Sequence, residues 1–114
     1  MGNPREGAEI SFTDVSEGFF GYKAWMVRLR VLVIGRVQGV GFRMVTRSLA
    51  IDHELTGWVR NEPDGSVLME VQGSEERVGD CLEALKRRMK MNIHEMQVTS
   101  ETPIGDEEAF VIRR

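Results

Sequence analysis

The sequence predicts an α+β domain: a two-layer α/β sandwich of βαββαβ order, with two helices on one face of a mostly antiparallel sheet of four to five strands. Three observations predict it. Apolar and polar residues alternate in several separated stretches, the period of half-buried strands. Two intervening stretches instead carry apolar residues at helical spacing. A Pro63-Asp64-Gly65 turn joins two of the strand stretches directly, and a helical stretch lies on either side of that hairpin.

The regular pattern begins at Trp25. Val27, Leu29, Val31 and Val33 alternate with Met26, Arg28, Arg30 and Leu32, as a strand with one buried face requires. A glycine-bearing loop, Gly35 to Arg43, follows. Phe42, Val45 and Leu49 then predict a helix over about 42–54, with Arg47 and Asp52 turned elsewhere. Thr56 to Asn61 is a second strand. Val67, Met69 and Val71, alternating with Leu68 and Glu70, form a third that Gly73-Ser74 is expected to stop. Ser74 is the expected N-cap of a helix over about 75–90, whose buried stripe is Val78, Cys81, Leu82, Leu85 and Met89. The methionines, Met69 and Met89 among them, mostly follow the core periodicity. A strand near 93–101 and a short one near 109–113 close the chain. Residues 1–24, rich in Gly and Glu, are expected to be a flexible extension, leaving 25–114 as the folded domain.

At 114 residues the chain has length for one core. Its net charge is −3 and its pI near 5.4, which argues against a broad nucleic-acid face. The Lys86-Arg87-Arg88-Lys90 cluster therefore fits a solvated helix face. Cys81 is the only cysteine, so no disulfide forms within the chain. No apolar run approaches the roughly 20 residues of a bilayer span, and Met1 to Glu6 lacks a secretory pattern. A cytoplasmic location is expected, with no membrane partner.

The loop Gly35-Arg36-Val37-Gln38-Gly39-Val40-Gly41-Phe42-Arg43 is the most informative stretch. A strand, a glycine-rich turn and a helix N-terminus together aim backbone N–H groups at one point, which suits phosphate or another compact oxyanion. Arg43 adds a permanent charge with a planar fork of donors. The loop lacks the Gly-Lys-Ser/Thr ending of a nucleotide P-loop and the third, later glycine of a dinucleotide fingerprint. The first two strands, joined by a helical crossover, run in the same direction, so Asn61 ends at the same sheet edge as this loop. With the hairpin strand between them the expected separation is about 10 Å, so that Arg43 and Asn61 could face one ligand from opposite sides. An uncharged carboxamide holds water without repelling an anion. Strand alternation turns the neighbouring Glu62 away. His53 and His94, the only imidazoles, fall far from this edge. No nucleophile–base pair, paired carboxylates or metal-ligand spacing stands out.

Gly-Arg-Val-Gln-Gly-Val-Gly-Phe-Arg at 35–43 and Gly-Trp-Val-Arg-Asn-Glu-Pro-Asp-Gly-Ser-Val at 57–67 closely resemble the two signatures of the acylphosphatase family. The resemblance covers about residues 26–113, including Phe110-Val111-Ile112. It implies a ferredoxin-like fold and hydrolysis of acyl phosphates to a carboxylate and inorganic phosphate, with no metal and no organic cofactor. Arg43 matches the family's phosphate-binding arginine and Asn61 its water-orienting asparagine. The family's cradle of backbone amides falls on Arg36, Val37, Gln38, Gly39, Val40, Gly41 and Phe42. Expected partners are a small acyl phosphate as substrate and inorganic phosphate as product and competitive inhibitor, with no nucleic acid and a monomeric chain. Met44 and Val45 depart from the aromatics common in the family, and Lys90-Met91-Asn92-Ile93 replaces its usual Gly-Pro-rich link. These changes bear on packing and substrate preference. A larger enzyme carrying such a domain, as in hydrogenase-maturation carbamoyltransferases, is disfavoured because the sequence closes at Arg114. The alternative from another class is a non-catalytic ferredoxin-like module binding phosphate or RNA. RNA binding needs aromatics on the sheet, where Trp58 is the sole candidate on the first three strands.

Overall fold

In a computed structural model that describes residues 25–114, the alternation that opens the domain becomes β1 (Met26–Gly35). The extension expected over 1–24 lies outside the described residues. The order continues with α1 (Phe42–Asp52), β2 (Thr56–Asn61), β3 (Val67–Ser74), α2 (Glu75–Arg88), β4 (Ile93–Glu101) and β5 (Phe110–Arg113). The five strands lie in the order β4-β1-β3-β2-β5. All pairings are antiparallel except β2 with β5, which is parallel. The α+β sandwich read from the sequence is the one observed.

Alternation decides the two faces of the sheet. Val27, Val31 and Val33, with Val59, Val67, Met69 and Val71, form the inner face. Phe42, Leu49 and Ala50 of α1 and Val78, Cys81 and Leu85 of α2 cover it. Burying a side chain of this kind stabilises the fold by about 1.5–3 kcal/mol, so this contiguous cluster is the core. Helix α1 packs over β2 and β5, and α2 over β3 and β1. Gly57 permits the tightest backbone approach in the sheet. A Cβ there would collide with the carbonyl of Glu70 on β3, and its φ of +139° suits only glycine.

Four boundaries differ from the sequence reading. Helix α1 ends at Asp52 rather than 54, because His53 caps it through its backbone N–H and ring Nδ1, both bonded to the Leu49 carbonyl, and Glu54 turns to φ 60°. Helix α2 ends at Arg88 rather than 90. The Met89 carbonyl there accepts from Asn92 N and Ile93 N, turning the chain into β4. Strand β3 does not stop at Gly73. It pairs Gly73 with Val27 and Ser74 with Met26 before Ser74 caps α2 by accepting from Arg77 N at 3.1 Å. Strand β5 begins at Phe110. Two methionines also leave the core pattern, Met44 and Met91, both exposed.

On the outer face a buried polar network replaces apolar packing. Arg28 is 1% exposed. Its Nε donates to Glu70 Oε1 at 2.7 Å, its Nη1 to Gln72 Oε1 at 3.0 Å, and its two Nη groups to the Glu107 carboxylate at 2.8 and 3.2 Å. Arg30 Nε donates to the other Glu70 oxygen at 3.0 Å. Gln72 donates to the Ile104 carbonyl and accepts from the Ile104 N–H, both at 2.8 Å. The network straps the 102–109 connector across β1 and β3 and so delivers β5 to the far side of β2.

Candidate active site

The loop after β1 is pinned at three points. Arg36 donates its backbone N–H to the Asn92 carbonyl at 2.9 Å, and Asn92 Nδ2 returns a bond to the Arg36 carbonyl at 3.0 Å. Val37 is fully buried in the core. Gln38 Nε2 donates to the carbonyls of Glu62 and Ser66, both at 2.8 Å, tying the loop to the β2–β3 turn. Beyond these anchors Gly39 and Gly41 adopt φ values of +75° and +81°, with no atom within 4 Å of where a Cβ would stand. These glycines are required by conformation rather than by crowding, and they leave the backbone open. Gly41 caps α1 without any side-chain hydrogen bond, and no acidic residue sits in the helix's first turn. The partial positive charge of that terminus is therefore not neutralised locally.

These groups surround a cleft of about 360 Å³ lined by Val37, Gly39, Gly41, Phe42, Arg43, Met44, Asn61, Ile112 and Arg114. Among the described residues no Asp, Glu, His or Cys side chain lines it. Register explains how Asn61 reaches it: Val67 of β3 pairs with Val33 on one side and Asn61 on the other. Asn61 thus lies two strand spacings, about 10 Å, from the end of β1. It shares the inner face with Val59, while Trp58, Arg60 and Glu62 take the outer one. Glu62 is held there by Arg60 Nε at 2.7 Å, so its charge stays away from the cleft. Asn61 Oδ1 is buried and has no hydrogen-bond partner among the described residues. Arg43 likewise forms no hydrogen bond or ion pair among the described residues.

Of the residues singled out in the sequence, the structure brings Val37, Gly39, Gly41, Phe42, Arg43 and Asn61 to one cleft. Arg36, Gln38 and Val40 do not line it. The Arg36 amide is spent on Asn92, Gln38 acts as the loop's anchor, and Val40 is exposed. Sequence reasoning did not place Met44, Ile112 or Arg114 here. For the last two the only available signal was parity along the final strand. Cys81 is buried, and burial, with a contribution from Asp52, pushes its thiol up to about 11. It stays a neutral core residue at ordinary pH. Among the described residues no three His, Cys, Asp or Glu side chains gather to hold a metal ion, and no helix is long and apolar enough to cross a membrane. The Trp58 ring, 6% exposed, lies under the guanidinium groups of Arg60 and Arg113, 5.0 and 4.8 Å from its centroid. It offers no open face on which a base could stack.

An α+β sandwich with a basic cleft, free of acidic side chains, at a glycine-capped helix N-terminus has the chemistry that suits a compact oxyanion. The acylphosphatase family model matches residues 29–112. The acylphosphatase of Geobacillus kaustophilus (strain HTA426) is 41% identical over 88 residues, which span 76% of this chain and 94% of that protein. The crystal structure of acylphosphatase from Bacillus subtilis aligns with a TM-score of 0.70 at 31% identity, covering 77% of this chain and 99% of that one. An acylphosphatase from Coxiella burnetii gives 0.68 at 27% identity, over 77% and 93%. The chain belongs to the acylphosphatase family and is a hydrolase.

Proposed function

We propose that residues 25–114 form a catalytic domain that hydrolyses the carboxyl–phosphate bond of small acyl phosphates without a metal ion. The cleft is the phosphoryl site. Arg43 and the backbone amides of Gly39, Gly41 and Phe42 bind the three phosphoryl oxygens, where charge is spread in the transition state. Asn61 accepts a hydrogen bond from a water and aligns it for in-line attack at phosphorus. The observation that carries this reading is Asn61 Oδ1 beside Arg43 in one cleft, each without a hydrogen-bond partner among the described residues. Buried polar atoms are rarely left without a partner, and an exception calls for one supplied by solvent or ligand.

The absence of a strong base from the cleft lining fits this substrate class. As the P–O bond breaks, the leaving group departs as a stable carboxylate and needs no general acid. The attacking water gives its proton to a phosphoryl oxygen of the substrate itself. The protein supplies position and charge. Inorganic phosphate, the product, occupies the same cradle and competes with substrate. The active form is a monomer, and the single buried thiol suits a reducing cytoplasm.

Phosphate release from benzoyl phosphate and from phenyl phosphate, each with and without EDTA, tests the proposal. Hydrolysis of benzoyl phosphate alone, unchanged by the chelator, is the expected result. Loss of turnover in EDTA would refute the metal-free scheme. Comparable hydrolysis of the monoester would refute the dependence on a carboxylate leaving group.

A further inference from the structure

The phosphoryl loop takes its first anchor from the turn between α2 and β4. Strands β1 and β4 pair Ile34 with Glu95 and then Gly35 with Ile93, so His94 is an extra residue on β4. A bulge of this kind bends its strand and re-aims the chain beside functional sites. Beyond it the shifted register sets Arg36, the first residue after β1, opposite Asn92. The two backbones approach so closely that a Cβ on Gly35 would collide with the Asn92 carbonyl.

A hydrogen-bonded antiparallel pair exchanges two bonds, each residue donating its N–H to the other's carbonyl. Arg36 makes its half of the exchange: its N–H donates to the Asn92 carbonyl at 2.9 Å. Asn92 cannot reply with its own backbone N–H, which donates to the Met89 carbonyl at 2.9 Å in the turn that leaves α2. Its side chain replies instead, Nδ2 donating to the Arg36 carbonyl at 3.0 Å. A carbonyl only accepts, so the contacting atom is the amide nitrogen. The carboxamide stands in for the missing strand N–H and carries the β1–β4 ladder one rung past the bulge, into the loop.

That rung lies at the entry to the cleft. The Arg36 carbonyl shares a rigid peptide plane with the N–H of Val37, and Val37 lines the cleft. One residue further, Gln38 is tied to the carbonyls of Glu62 and Ser66. From Gly39 to Phe42 no backbone N–H has a partner among the described residues. The direction of those open amides is therefore set by the two fixed residues before them.

We infer that Asn92 is a positioning residue for the phosphoryl loop: its carboxamide, acting through the Arg36 carbonyl, holds the loop amides in the arrangement that a phosphoryl group needs. It lies outside the cleft lining and touches no reacting atom. The inference rests on the acyl-phosphate reading above and deepens it. Loosened donors weaken anion binding and transition-state stabilisation together, and one such hydrogen bond corresponds to about a tenfold effect.

The test measures kcat, KM for benzoyl phosphate and the inhibition constant of inorganic phosphate in the unmodified protein, Asn92→Ala and Asn92→Leu, each well below its measured Tm. Leucine keeps the branched shape and removes the donor without adding charge. Both variants are expected to lose about tenfold in kcat/KM, with phosphate inhibition weakened by a similar factor. A merely structural role would reduce the amount of folded protein, lowering kcat while KM and the phosphate constant hold. That pattern would overturn the inference, as would unmodified kinetics in both variants. Kinetics retained in Asn92→Leu but not in Asn92→Ala would assign the effect to packing and overturn it equally. Each of these results leaves the proposed function standing. Failure of the unmodified protein to hydrolyse benzoyl phosphate would overturn the proposed function, and the inference with it.

Discussion

Arg43→Ala is expected to lower kcat/KM for benzoyl phosphate by at least about 10²–10³-fold, the loss that follows removal of one preorganised donor to developing charge. The side chain leaves the first turn of α1 and lines the cleft without a carboxylate partner. Its charge is therefore available in full to a bound anion. In the proposed mechanism it contacts the phosphoryl oxygens in ground and transition states alike, so the variant is also expected to weaken competitive inhibition by inorganic phosphate. Asn61→Ala separates the two effects. In the proposed mechanism its carboxamide acts on the water, so kcat is expected to fall while the phosphate inhibition constant holds. Steady-state kinetics with phosphate as inhibitor check both. Unchanged turnover in either variant would remove that residue from the mechanism, and equal loss of phosphate binding in both would reassign Asn61 to the anion cradle.

The largest effect on stability is expected at Arg28, far from the cleft. Arg28→Met leaves Glu70 and Glu107 facing each other without the guanidinium that joins them. Removing one partner of a buried ion pair costs about 3 kcal/mol or somewhat more, and Tm falls by roughly ten degrees or more. Acid gives a sharper signature. Burial pushes the Glu70 carboxyl up, but hydrogen bonds from Arg28 and Arg30 outweigh it and hold the carboxyl below its ordinary value of 4.5. A carboxylate held down in this way stabilises the fold above that ordinary value, and the contribution is lost as pH falls through the lower, folded value. The stability gap between the two proteins is therefore widest at neutral pH and narrows in acid. Urea unfolding of both at pH 7 and pH 3 measures it. A gap independent of pH would show that the network acts through packing alone.

The sequence carried the architecture because each strand had one clear buried face and each helix one stripe. The hairpin was legible in Pro63-Asp64-Gly65, and the helix start in Ser74. What it did not carry depended on contacts between distant segments. Gly73 looks like a stop signal, yet pairing with Val27 carries β3 through it. His53 looks like a continuing helical residue until its ring closes on the Leu49 carbonyl. At the site, Arg43 and Asn61 could be brought together from topology alone, because a crossover fixes strand direction. Arg36 could not be excluded from the cleft without its bond to Asn92, some 56 residues on. Nor could Gln38 be seen as an anchor before the carbonyls of Glu62 and Ser66 were placed beside it. Arg114 enters through the parallel pairing of β5 with β2, and no local motif encodes that pairing.

Convergence of Arg43 and Asn61 on one phosphoryl group can be seen in a crystal structure with orthovanadate. A five-coordinate vanadium is expected in the cleft, with equatorial oxygens within about 3 Å of the Arg43 guanidinium and the loop amides and an apical oxygen at Asn61. Vanadate bound elsewhere, or bound in the cleft with its apical oxygen turned away from Asn61, would contradict it.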